Sequence, residues 1–398
     1  MKTSIRKKRT APAPRHSLWF RIHLYLGLFV GLMFAFSGLT GSALVFYKGI
    51  DELLNPALLT VEPGGEYARL TEITAAAQKA VPVSAKPARL YFPPHLRAPF
   101  KIRFTLPKED QTVLLDVMVN PFTAEVLGQR RWGGYLMSCL YKMHFTLLSG
   151  KRGETIVGVI GLLLICSVVS GVVLWWRQPG KFLQAFTFRH RSSPVRQIYD
   201  LHKTVGAYAC IVLVVAAFSG ISMIFPQYMK SALSMILPVE QLPPSGISKI
   251  ETGGGQKINI HEVASIARDF FPRAKLQRIY FPSSTEAAFR IIMRQPGEIR
   301  QTSGSTQLWI SAYNGEIRKT QEPQTMSSRD TLLSWMFPIH NGEALGMPGR
   351  VLMFLAGFAP IHLYVTGLIV WQRKRKARLR ADFPGDPDTR YRKRSPTT

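Results

Sequence analysis

Two stretches of this chain carry the same marks at the same spacing. In Leu140–Trp176, His144 precedes a long apolar run that closes on Ser170-Gly171 and Trp175. Nearer the C-terminus, His340 precedes a second run that closes on Thr366-Gly367 and Trp371. Histidine to glycine is 27 residues in both, and histidine to tryptophan is 31. A helix of about 20 apolar residues crosses the roughly 30 Å core of a bilayer. The doubled pattern therefore reads as two membrane spans, each with a histidine at one face and a tryptophan at the other.

Two more apolar runs precede these, Leu18–Tyr47 and His202–Phe225, and they match each other as well. His23-x3-Gly27 corresponds to His202-x3-Gly206, and Phe36-Ser37-Gly38 to Phe218-Ser219-Gly220 with a three-residue gap. The first run is too long for a cleaved signal peptide, so it is read as a span. The expected spans are 18–47, 156–176, 202–225 and Val351–Trp371.

Charge sets the orientation. The 398 residues carry a formal net charge of +27, and 46% of them are hydrophobic. Segments 1–21, 177–203 and 371–398 hold seven, six and ten lysines and arginines against four acids. Basic blocks beside apolar runs follow the positive-inside rule, which puts both termini and the middle loop on the cytoplasmic face. A nucleic-acid-binding face has no need of membrane-length apolar runs between its basic blocks, so nucleic acid is not an expected partner; the lipid bilayer is. Cys139, Cys166 and Cys210 form no CxxC and offer no disulfide framework or thiolate metal site.

Between the spans lie two soluble segments, expected on the outer face. In the first, Leu70–Val81 has helical periodicity, 89–92, 100–106 and 112–119 read as strands, and Asn120-Pro121 marks a turn. In the second, Gly253–Gly255 is a flexible linker, 261–271 a helix, 276–281, 288–293 and 307–311 strands, and Asn314-Gly315 a turn. Leu90-Tyr91-Phe92-Pro93 matches Ile279-Tyr280-Phe281-Pro282 at an offset of 189. The expected fold is an all-α membrane core of four transmembrane helices with a two-fold internal repeat, plus two periplasmic α+β domains. The expected boundaries are a basic tail 1–17, a first span 18–47, a first soluble domain 48–134, an outer-rim segment with the second span 135–176 and an inner loop 177–200. A third span 201–226, a second soluble domain 227–330, an outer-rim segment with the fourth span 331–372 and a basic tail 373–398 complete the chain. Because both halves start and end inside, the repeats are parallel rather than inverted.

Five of the nine histidines lie in or beside spans: His23, His144, His202, His340 and His362. Ionisable groups at membrane depth are functional candidates by default. A parallel two-fold would bring His23 to His202 at the inner face and His144 to His340 at the outer face. Zinc usually takes a third protein ligand, and no Cys, Asp or Glu sits beside these pairs. Haem needs only two axial imidazoles, because the porphyrin supplies four nitrogens. The glycines 27, 31, 38, 171, 220 and 367 allow close approach, or serve ordinary small-residue packing. Arg21, Lys203, Lys142 and Arg350 are available for propionates, or simply set topology. His362 has no repeat counterpart, since Cys166 occupies that position. It is an alternative inner ligand, a propionate partner, or a satisfied core histidine.

The HxxxG…FSG pattern of the leading spans and the H…G…[ST]GxxxW pattern of the trailing ones resemble the PepSY-associated transmembrane family, from about Leu18 to Arg375. That resemblance implies an iron-regulated bacterial inner-membrane protein. The best-understood members are ferric-siderophore reductases with two b-type haems. The family's membrane histidines correspond to His23, His144, His202 and His340, with His362 extra. Fold alone does not carry substrate identity. The expected activity is oxidoreductase: electrons from a cytoplasmic reductase or membrane quinol reach a periplasmic ferric chelate, releasing Fe(II). Tyr141, Trp309 and Trp335 are weak candidates for a substrate cleft, belt or core residues being the commoner alternative. No dinucleotide fingerprint appears. Two other classes fit the same spans: a haem-free anchor whose outer domains bind a protein partner, and a siderophore or metal transporter. The transporter is disfavoured by the lack of acids inside the spans and of paired broken helices.

Overall fold

The structure, a computed structural model, describes residues 14–108, 111–176, 186–188, 193–237, 258–282 and 288–382. Most of both basic tails, most of the loop 177–192 and the Gly253–Gly255 linker lie outside the described residues. In chain order the elements are α1 (Pro14–Tyr25), a π-helical turn Leu26–Val30, α2 (Gly31–Val45), α3 (Tyr47–Leu54), α4 (Pro56–Leu59) and α5 (Leu70–Lys79). Strands β1 (Lys86–Tyr91), β2 (Phe100–Lys108), β3 (Gln111–Val119) and β4 (Val126–Arg131) follow, then α6 (Leu136–Thr146) and α7 (Gly150–Trp176). The second half holds α8 (Pro194–Ile224), α9 (Pro226–Ser234), α10 (Ile260–Phe270), β5 (Lys275–Tyr280), β6 (Ala288–Arg294), β7 (Thr306–Ser311) and β8 (Ile317–Gln321). It ends with α11 (Ser328–His340), α12 (Gly346–Ala356) and α13 (Ala359–Asp382).

Among the described residues, four helical stretches are long and apolar enough to cross a membrane: Leu18–Val45, Gly150–Trp176, Pro194–Ile224 and Glu343–Leu379. The fourth differs from the unbroken helix expected over Val351–Trp371. It is interrupted at Gly357-Phe358, between α12 and α13. Pro360 explains the break: it has no N–H to continue the ladder and its ring collides with the carbonyl four residues back, yet it suits the first turn of a new helix.

The chain divides into two compact units. One holds residues up to Leu39, Val159–Phe218 and the chain from Leu355. Here Ala209, Leu213 and Ala359 are buried together, with Val168, Val205 and Leu363 against them. Gly38 lets α2 rest on the Gly357 carbonyl; a Cβ there would also stand 3.1 Å from Pro360. Gly31 lies under the Tyr364 ring in the same way.

The other unit holds Thr40–Gly158 and Ser219–Phe354. Its centre is one antiparallel sheet of eight strands, ordered β4-β3-β2-β1-β5-β6-β7-β8. The two soluble segments thus share a single sheet. β1 joins β5 with Arg89 opposite Tyr280, Leu90 opposite Ile279 and Tyr91 opposite Arg278. The seam is antiparallel, so of the positions aligned at an offset of 189 only Leu90 and Ile279 face each other across it.

Alternation along the strands sorts the two faces of the sheet. Phe100, Ile102, Phe104, Ile279, Ile291 and Leu308 point to the side covered by α5 and α10, and all are buried. Burying each such side chain contributes about 1.5–3 kcal/mol. Helix α10 starts where Asn259 accepts from the backbone N–H of Glu262 while Glu262 accepts from that of Asn259, a reciprocal cap that satisfies two orphan donors. The opposite face carries Lys101, Arg103, Arg278 and Arg290, interleaved with Tyr91, Tyr280 and Trp309. Buried Arg103 holds Asp116 through Nε–Oδ1 at 2.6 Å and Nη2–Oδ2 at 2.7 Å. Arg130 holds Asp51 in the same two-pronged manner.

Candidate histidine sites

Each of the four histidines lies against a hydroxyl-glycine pair on another helix. Within the first unit, His23 of α1 meets Ser170-Gly171 of α7. Its Nδ1 is 3.0 Å from Ser170 Oγ and 3.1 Å from the Ser167 carbonyl. His202 of α8 meets Thr366-Gly367 of α13, with Nδ1 2.9 Å from Thr366 Oγ1. Within the second unit, His144 of α6 meets Thr40-Gly41 of α2, and His340 of α11 meets Ser219-Gly220 of α8. Their Nδ1 atoms are each 3.1 Å from the hydroxyl oxygen.

The glycines admit the rings. A Cβ on Gly171, Gly367, Gly41 or Gly220 would sit 3.1, 3.2, 3.0 or 3.1 Å from the Cε1 of the facing histidine, tighter than ordinary van der Waals contact.

The hydroxyls fix the proton in the first unit. Ser170 Oγ donates its single hydrogen to the Ser167 carbonyl at 2.8 Å. Thr366 Oγ1 donates to the His362 carbonyl at 2.7 Å. Each hydroxyl therefore accepts from the imidazole, and a carbonyl only accepts. The neutral rings of His23 and His202 carry their proton on Nδ1, assigned from this network, and keep the Nε2 lone pair for a ligand.

The rings also face one another in pairs. His23 and His202 have centroids 6.2 Å apart with planes at 85°. His144 and His340 have centroids 6.1 Å apart with planes at 50°. With a metal–nitrogen bond of about 2 Å and a ring radius of about 1.1 Å, two imidazoles on opposite sides of one metal stand about 6.3 Å apart between centroids. Among the described residues no three His, Cys, Asp or Glu side chains gather as a metal site. The donor set is two imidazoles per site.

His362 does not join a ring pair. Its Nε2 is buried without a hydrogen-bond partner among the described residues, while its carbonyl holds the hydroxyl that orients His202. Of the other sequence candidates, Tyr141 packs on Trp132 with centroids 5.6 Å apart. Trp309 is buried under the Lys319 ammonium, and Trp335 is 42% exposed. Lys203 is 3.7 Å from Asp200, Arg350 donates to the Val45 carbonyl, and the Lys142 stem lies against Gly133.

The sequence assigns no hydroxyl to any histidine, and of the four hydroxyl-glycine pairs Thr40-Gly41 is the one its repeated motifs do not contain. The gapped match of Ser37-Gly38 to Ser219-Gly220 is replaced by an ungapped one: at a constant offset of 179, His23, Gly27, Thr40 and Gly41 fall on His202, Gly206, Ser219 and Gly220. Gly38 serves helix packing on Gly357 instead.

A search of curated proteins finds no match to the sequence. The family model of the PepSY-associated TM region matches residues 20–374. That span takes in the sheet, both histidine pairs and the four apolar helices but for the start of the first and the end of the fourth, and the chain belongs to the PepSY-associated transmembrane family.

Proposed function

We propose that the protein is a bacterial inner-membrane reductase that binds two b-type haems. It would draw electrons from the cytoplasmic side or the quinol pool and deliver them to a periplasmic Fe(III) chelate of the siderophore type. The observation that carries this reading is the pairing of the histidines, two facing imidazoles at 6.1–6.2 Å with every Nδ1 on a serine or threonine hydroxyl. Such a set fits haem, which needs two axial nitrogens and no third protein ligand. His23 with His202 would hold the inner group and His144 with His340 the outer one. When bound, haem supplies one-electron chemistry at its iron.

The chain's own groups supply the setting. Ser170 and Thr366 hold the Nδ1 protons and leave each Nε2 lone pair for a ligand. Such outer partners fix ring orientation and raise ligand basicity. Gly171, Gly367, Gly41 and Gly220 give the rings room. His362, through its carbonyl, positions Thr366 rather than ligating. Reduction promotes release because hard oxygen donors hold Fe(III) better than the softer Fe(II). Both termini would be cytoplasmic and the sheet periplasmic, as the basic blocks imply.

The decisive experiment is a reduced-minus-oxidised absorption spectrum of the purified protein, with haem counted per chain. About two haems with a six-coordinate b-type spectrum are expected. No haem in material made with ample supply overturns the reading and leaves a membrane anchor that binds a protein partner. The break at Gly357-Phe358 favours a second reading, a transporter, because interrupted spans commonly line transport sites. Uptake of the intact chelate by vesicles without reductant would establish it.

A further inference from the structure

The sheet face opposite α5 and α10 is strongly cationic, and nothing in the histidine pairs uses it. Seven cations, Lys48, Lys101, Arg103, Arg130, Arg278, Arg300 and Arg350, are set against three carboxylates, Asp51, Asp116 and Glu343. Asp116 is consumed by Arg103 and Asp51 by Arg130. Glu343 spends one oxygen on the Thr302 N–H and keeps the other buried without a donor among the described residues. Arg278 and Arg300 keep buried Nε–H groups without an acceptor among the described residues. A buried donor without an acceptor is costly unless something else supplies one.

Aromatic rings are interleaved with these charges. Arg278 lies 4.5 Å and Lys101 4.2 Å from the Tyr91 ring centroid. Arg103 stacks at 4.2 Å on Trp132, and Trp132 packs on Tyr141. Arg300 lies 4.8 Å over Phe337. Tyr141 is three residues before His144 on α6, and Phe337 three residues before His340 on α11, so each aromatic is one helical turn from its histidine. The cationic face thus reaches both helices that carry the His144–His340 pair.

We propose that this face is a binding site for a polyanionic chelate with oxygen donors, such as a tris-catecholate or carboxylate complex of a trivalent metal, and that it selects against neutral hydroxamate chelates. The ferric part of the assignment rests on the reductase reading; the preference for negative charge rests on the cations and unfilled donors alone. The electrostatics of the face agree. Burial raises the Tyr91 phenol, but Lys101, Arg103 and Arg278 together outweigh it and hold the group below the usual tyrosine range. Burial also holds the Lys101 ammonium below the usual lysine range. An incoming anion relieves that crowding of like charge.

The test uses gallium(III), which forms the same six-oxygen complexes as Fe(III) but has no accessible reduced state, so binding is read without electron transfer. Purified full-length protein is titrated with gallium tris-catecholate, which is anionic, and with neutral gallium tris(acetohydroxamate), by tryptophan fluorescence or calorimetry. The anionic complex is expected to bind at least about tenfold more tightly, and to weaken as salt approaches about 1 M and the Debye length falls. Lys101→Gln and Arg278→Gln are expected to erase the preference while haem content stays at the parental value. Equal affinity for the two complexes, or binding of neither, overturns the proposal. So does loss of haem rather than chelate affinity in the variants, which would assign the cations to porphyrin carboxylates. The salt titration of the parent protein decides the matter even if a variant fails to fold. Success with gallium and failure to reduce the iron complex would reject the reductase and keep the site.

Discussion

The most incisive perturbation is Thr366→Val. It keeps the shape of the side chain and removes only the hydroxyl that accepts from His202 Nδ1 at 2.9 Å. The ring's Nδ1–H then keeps only the Leu363 backbone carbonyl as acceptor, a net loss of about 0.5–1.5 kcal/mol. For histidines that ligate metals, losing this outer partner costs about 10–100-fold in affinity, roughly 1.4–2.7 kcal/mol at 1.36 kcal/mol per decade. The two estimates overlap, so on the di-haem proposal haem dissociation from the His23–His202 pair should speed up by at least about tenfold. A less basic imidazole also favours Fe(II), so the inner midpoint potential should move to a more positive value. Haem transfer to apomyoglobin reads the first quantity and a redox titration the second. Thr366→Ser, which restores the hydroxyl, should restore both. If Thr366→Val keeps the parental dissociation rate and potential, the hydroxyl does not orient the ligand and the tautomer argument is wrong.

Three further outcomes follow from other contacts. His144→Ala or His340→Ala should each remove one haem of two and leave the His23–His202 site filled, by spectrum and haem count; full content in both variants would dismiss the pairing. Asp116→Asn strands buried Arg103 and should cost about 3–5 kcal/mol of stability, read from thermal denaturation in detergent. Lys101→Met should raise the thermal midpoint at neutral pH while weakening chelate binding. The folded state holds this lysine below its unfolded value of 10.5. Below that pH the unfolded chain binds more protons, and parental stability therefore climbs as pH rises toward 10.5. The variant's advantage should shrink over that climb; a constant gap would show that packing, not charge, was responsible.

Much of this was legible in the sequence, and particular residues show where it stopped. The spans were visible because apolar runs of that length have few other uses. Strands such as β2 were visible because Phe100, Ile102 and Phe104 alternate cleanly. The edge strands β4 and β8 were not. Val126–Arg131 and Ile317–Gln321 carry charges where an inner strand would carry Val or Ile, which is how edges resist further pairing. The break in the fourth span was hidden because hydropathy continues across Gly357 and Phe358, and Pro360 alone does not distinguish a kink from a restart. The facing histidines were suggested by the doubled spacing. Their hydroxyl partners were not: Ser170-Gly171, Ser219-Gly220 and Thr366-Gly367 stood out only as repeated marks, and a gap placed in α2 where none was needed hid Thr40-Gly41. That the soluble segments share one sheet had no signal in either segment alone, since backbone pairing across β1 and β5 is blind to side-chain identity.

The seam between β1 and β5 bears on how such a chain is made and divided. Leu90 faces Ile279 because two like strands meet antiparallel, the isologous geometry by which identical subunits pair through one surface. Either half expressed alone would present a bare strand edge with unpaired N–H and C=O groups. Such a fragment should seek a second copy of itself rather than remain single, and two separately synthesised halves should find each other through the same edge. Until β5 (Lys275–Tyr280) has been made, the β1 edge of the first half has no strand of its own chain to pair with.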